Sequence, residues 1–104
     1  MSSKILLCKT DEVSDSAPLN VNVEGFPSLA VYEFEGDYFA TDNLCTHGNA
    51  MLTDGYQEGE EIECPFHGGA FNIKTGEPTA FPCQIAIKSY PVTVENNEIY
   101  LVNA

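Results

Sequence analysis

The chain has 104 residues, with 16 acidic side chains against 4 lysines and no arginine, and a formal net charge of −12 with both histidines neutral. Nucleic acid and anionic membrane surfaces are gripped by clustered Lys and Arg, so neither is expected as a partner, and a basic protein face fits instead. With 43% apolar and 11% aromatic residues the acidity belongs to a folded surface rather than a disordered tail, and the length predicts one domain spanning 1–104, with room for one site.

In chain order, the short apolar run at residues 5–8 predicts a first strand, and Thr10 is a candidate cap for a helical turn over 11–16. Leu19, Val21 and Val23 alternate with polar residues. After a Glu24-Gly25 turn, Leu29 and Val31 alternate with Ala30, Tyr32 and Phe34. Glu35-Gly36-Asp37 then turns into a third run over 38–42, giving a meander. Residues 48–59 read as a loop with Asp54-Gly55 and Glu58-Gly59 turns. Residues 85–90 and 91–95 read as extended, Asn96-Asn97 as a turn, and 99–102 as a closing strand. There is no internal repeat and no linker, and the whole predicts an all-β domain.

No stretch approaches the roughly 20 apolar residues that cross a bilayer, and the early run at 5–8 is too short for a signal peptide core, so the expected location is the cytoplasm. In that compartment four cysteines point to metal or redox chemistry before disulfides.

Both histidines stand beside a cysteine, as Cys45-Thr46-His47 and Cys64-Pro65-Phe66-His67, with sixteen residues between His47 and Cys64. Packing alone does not explain why every His falls within three positions of a Cys. A Cys2His2 zinc site is one reading, since thiolate and imidazole suit Zn²⁺. Zinc modules usually draw both thiolates from one short turn, however, and here each loop supplies one thiolate and one imidazole. That mixture suits two metal centres, one taking both thiolates and the other both imidazoles.

The sequence resembles the Rieske proteins, whose pattern is Cys-x-His, an intervening stretch of this length, and Cys-x-x-His. The resemblance implies a [2Fe-2S] cluster, with Cys45 and Cys64 on one iron and His47 and His67 on the other. It also implies an antiparallel β sandwich with a small cluster-binding subdomain, approximately 43–83, inserted between strands. Gly48, Pro65, Gly68 and Phe71 fall where the family's cluster loops place comparable residues, and Gly76, Pro78 and Pro82 would form its third, covering loop. Two ferric ions, two sulfides and two thiolates sum to zero charge, so an added electron meets less repulsion than in an all-Cys cluster, and His-ligated clusters span roughly −150 to +300 mV. Respiratory members carry a loop disulfide and aim Ser and Tyr hydroxyls at the cluster. Here the corresponding positions are Ala50 and Phe66 for the disulfide, Gly69 and Phe71 for the hydroxyls, which implies a potential near the low end.

Cys8 and Cys83 lack a nearby ligand partner in sequence and are expected as buried small hydrophobes; a Cys8–Cys83 disulfide would be the alternative. Residues 33–73 carry nine acids and no Lys or Arg, which suggests a field that steers a basic partner. With no His left for a mononuclear iron and no nucleotide-binding turn, the chain is expected to be an electron carrier rather than an enzyme. The resemblance, strongest over 42–82, is to the ferredoxins of aromatic ring-hydroxylating dioxygenase systems of the naphthalene and biphenyl type. It implies a flavin-containing NAD(P)H ferredoxin reductase as donor, a Rieske oxygenase terminal component as acceptor, and a monomer. Pro65, Phe66, Pro82 and Met51 are the expected apolar ring at the contact. A nitrite reductase small subunit, a redox sensor and a structural zinc module are the alternatives.

Overall fold

The computed structural model describes residues 4–46, 50–65, 68–81 and 83–102. Eleven strands are found among these: β1 (Lys4–Lys9), β2 (Leu19–Val21), β3 (Leu29–Phe34), β4 (Asp37–Asp42), β5 (Tyr56–Glu58), β6 (Glu61–Glu63), β7 (Ala70–Asn72), β8 (Pro78–Ala80), β9 (Ser89–Tyr90), β10 (Val92–Glu95) and β11 (Glu98–Val102). They form three sheets ordered β1-β11-β10, β2-β3-β4-β9 and β5-β6-β7-β8, antiparallel at every pairing. The all-β antiparallel arrangement is the one the sequence predicted.

Two hairpins follow from turn chemistry. Phe34 pairs with Asp37 across Glu35-Gly36, with φ of 54° and 83°, and Glu95 pairs with Glu98 across Asn96-Asn97, with φ of 54° and 63°. Positive φ at both central residues gives the turn whose twist matches that of the flanking strands, and Gly and Asn tolerate it best.

The first two sheets face each other over a core to which Leu7, Cys8, Ile99 and Leu101 contribute from one side and Leu29, Val31 and Ala40 from the other. A second core collects Ala30, Tyr32, Leu52, Ile62, Phe71, Ile73 and Ile87 around Cys45, Cys64 and Cys83. β3 belongs to both: Leu29 and Val31 point to one core, Ala30 and Tyr32 to the other, and all four are fully buried. A strand has a side-chain period of two, so its opposite faces serve two separate interiors. The Tyr32 hydroxyl, which no water reaches, is satisfied by Thr41 Oγ1 at 2.8 Å.

Three expectations require correction. The helical turn lies earlier than predicted, at Thr10–Glu12, where the Lys9 amide donates to Glu12 Oε1 at 2.8 Å; residues 14–17 form an isolated bridge instead. Residues 48–59 are not all loop, because they contain β5 and a 3-10 turn at Leu52–Asp54. The stretch 85–90 is mostly non-strand: only Ser89 and Tyr90 pair, while the Ile87 N–H donates its hydrogen bond to the Gly76 carbonyl at 2.9 Å.

Candidate metal centre

The cysteines of the two motifs occupy equivalent places on two hairpin tips. Leu44 bridges Met51, and inside that bridge the Cys45 amide donates to the Ala50 carbonyl at 2.9 Å. Glu63 pairs with Ala70, and inside that pair the Cys64 amide donates to the Gly69 carbonyl at 2.6 Å. Each tip therefore opens on a cysteine and closes five residues later. His47 and His67 fall within these tips in sequence and lie outside the described residues, as do Gly48, Phe66 and Pro82.

Cys45 and Cys64 are each 2% exposed and share one apolar cluster. A third segment brings Cys83 to them: its Sγ lies 4.0 Å from Cys45 Sγ, and burial, then the Cys45 sulfur, then that of Cys64, pushes its thiol up to about 12. None of the four sulfurs is in a disulfide, and Cys8 sits in the other core, which removes the Cys8–Cys83 bridge from consideration. Both cysteines are buried, as expected of small hydrophobes, and burial followed by the charge of Glu12 pushes Cys8 up to about 11.

Two buried thiols on closed tips fit a site for a thiolate-ligated metal group, since soft sulfur donors held away from water select zinc or iron–sulfur centres. Among the described residues alone no cluster of three ligand side chains assembles.

Asn43 anchors the base of the first tip. It is fully buried; its carbonyl accepts from Leu52 N at 2.7 Å, its Oδ1 from Thr53 N at 2.9 Å, and its Nδ2 donates to Ser28 Oγ and Thr53 Oγ1 at 3.2 and 3.1 Å. Asn43→Ala removes the side-chain bonds to Thr53 N, Thr53 Oγ1 and Ser28 Oγ from a fully buried position, and urea unfolding is expected to show a loss of roughly 2–4 kcal/mol; a loss within about 0.5 kcal/mol would contradict this anchoring role. At the tip itself, Thr46 Oγ1 donates to the Ile85 carbonyl at 2.7 Å, tying the first tip to the segment that carries Cys83.

The exposed rim differs in part from the expected one. Pro65 and Met51 are exposed, while Phe66 and Pro82 are outside the described residues. Leu44, Phe81 and Ile85 are exposed at 50%, 80% and 68% and were not anticipated. An apolar residue reads as core in a sequence; the only available signal was that Leu44 directly precedes a candidate ligand and Phe81 directly precedes Pro82. Glu58, Glu61 and Glu63 line a shallow groove with the exposed Tyr56.

Antiparallel sheets feeding two cysteine-led tips define a β domain built around buried thiols, and the chain belongs to the Rieske [2Fe-2S] domain family, whose model matches residues 3–91. It is 49% identical over 90 residues, 86% of each chain, to the ferredoxin component of the naphthalene 1,2-dioxygenase system of Pseudomonas putida. Among solved structures it resembles the Sphingomonas yanoikuyae B1 ferredoxin at 57% identity and a TM-score of 0.95, covering 98% of this chain and 100% of that one. It also resembles a chain from the complex of reduced oxygenase and oxidized ferredoxin in carbazole 1,9a-dioxygenase, at 39% identity and a TM-score of 0.88, covering 94% and 91%. Among the described residues no helix is long and apolar enough to cross a membrane.

Proposed function

We propose that the protein is a one-electron carrier, the ferredoxin component of an aromatic ring-hydroxylating dioxygenase system. In this reading Cys45 and Cys64 hold one iron of a Rieske [2Fe-2S] cluster and His47 and His67 the other. Residues 43–83 act as the cluster-binding subdomain of a single domain spanning 1–104. The donor is a flavin-containing NAD(P)H ferredoxin reductase, the acceptor the Rieske terminal oxygenase, and the carrier works as a cytoplasmic monomer.

The observation that carries the reading is the pair of matching tips, each opening on a buried cysteine with a histidine two or three residues on. Likeness to ferredoxin components along most of the chain supports the partners. When bound, the cluster supplies a one-electron couple at a potential above that of all-Cys centres. The polypeptide buries the thiolates and leaves an apolar rim of Leu44, Met51, Phe81 and Ile85 beside the tips. A rim of this kind suits a small, transient contact of under roughly 1,200 Å².

Purified protein is expected to be red-brown, with about two irons and two acid-labile sulfides per chain. A colourless protein with one zinc overturns the reading, and co-purification with a large nitrite reductase subunit redirects it. Gly69 has no side chain and Phe71, fully buried against Ile62, has no hydroxyl, so neither offers a side-chain hydrogen bond that would stabilise added negative charge. Potentiometry should therefore place the midpoint below that of the normal hydrogen electrode, near the low end of the family range; a midpoint well above it would contradict this account.

A further inference from the structure

We propose that the Cys83 thiol donates a hydrogen bond to the Cys45 sulfur and thereby raises the reduction potential of the centre that Cys45 ligates. The inference rests on the assignment of Cys45 as an iron ligand. The two sulfurs are 4.0 Å apart, and both residues are buried, at 5% and 2% exposure. A ligating thiolate carries no proton, so the direction of the bond is set: Cys83 donates and Cys45 accepts.

The sulfur of Cys83 is held where it is by all three segments around it. Its own amide donates to the Ala80 carbonyl at 3.1 Å, and two residues later the Ile85 carbonyl accepts from Thr46, the neighbour of Cys45. Gly69, which closes the second tip, also lies against it. A Cβ placed there would come within 2.4 Å of Cys83 Sγ, so the space a side chain at 69 would fill is taken by this sulfur. The thiol is thus wedged between the two ligand-bearing tips.

Its surroundings are the apolar side chains of the second core. In such a setting a hydrogen bond is stronger than in water, and one aimed at a ligand sulfur favours the state in which that sulfur carries more negative charge. That state is the reduced one. Cys83 is therefore a tuning residue acting through Cys45 and does not need to touch iron.

The test uses the holoprotein. Cys83→Ala and Cys83→Val, loaded to the same iron and sulfide content as the parent, are expected to bind the electron up to about tenfold more weakly, a midpoint lower by up to ~59 mV for a one-electron couple. Unchanged midpoints in loaded variants overturn the proposal. Infrared spectroscopy of the unmutated holoprotein gives a second readout that does not depend on a variant folding. With Cys45 and Cys64 ligating, only Cys8 and Cys83 retain S–H groups, and two stretching bands are expected, the Cys83 band displaced to lower frequency. Two coincident bands overturn the hydrogen bond, whereas four S–H bands overturn the ligand assignment as well.

Discussion

Gly76→Ala is expected to lose at least about 3 kcal/mol of stability, a fall in Tm of more than roughly 12 °C, while Gly25→Ala is expected to lose only about 1 kcal/mol. Both glycines have positive φ, +83° and +86°, so both substitutions force an L side chain into the left-handed region. They differ in what surrounds them. Nothing lies within 4 Å of a Cβ at Gly25, whereas a Cβ at Gly76 would stand 2.0 Å from the Ile87 carbonyl oxygen and 3.0 Å from its carbon. Those are backbone atoms, and the Gly76 carbonyl itself accepts from Ile87 N, so relief requires pulling apart the contact that brings the Cys83 segment across the β7–β8 hairpin. Cluster loading should fall along with stability. Denaturation curves followed by circular dichroism decide the matter, and equal losses at the two sites would show that conformation, not the close approach, is what Gly76 supplies.

Electron transfer to the terminal oxygenase is expected to slow by about 10-fold or more between low salt and about 0.5 M, where screening shortens the reach of charge to a few ångströms. Replacing Glu58, Glu61 and Glu63 together by Gln should reproduce much of that loss at low salt. These three are exposed, sit on one hairpin, and face solvent beside the second tip. Among the described residues the one ion pair joins Lys4 to Glu95, and Lys74 lies over the Phe34 and Phe39 rings, so no lysine there neutralises the group. Glu58 and Glu61 are also directly opposed across β5 and β6, an arrangement that lowers stability. The triple variant should therefore be slightly more stable and slower at once. A gain in stability with an unchanged second-order rate constant would mean that the acids serve solubility alone.

The hairpins at Glu35-Gly36 and Asn96-Asn97 were legible because their residue types meet a backbone demand that few others meet. The ligand pattern was legible for a similar reason, since Cys and His are scarce and were placed together twice. The four-stranded sheet β5 to β8 was not. Its strands have three residues each, too few to display a period of two, and the buried centre of β5 is Gln57, a polar residue committed to the Glu33 and Gly59 carbonyls. The approach of Cys83 to Cys45, 38 positions apart in the chain, has no local signature either. It follows from the Gly76–Ile87 contact and the Thr46–Ile85 bond, both of which are tertiary.

The double-faced β3 has a bearing on how such a molecule diversifies. Slipping its register by one residue would exchange Leu29 and Val31 for Ala30 and Tyr32 and spoil both interiors together, so residues 29–32 are doubly constrained. Leu44, Met51, Phe81 and Ile85 are under no such constraint: they stand on tips and connecting segments, outside both packed interiors. Inheritance can therefore rewrite the address a carrier presents while leaving intact the wall that keeps its metal centre dry.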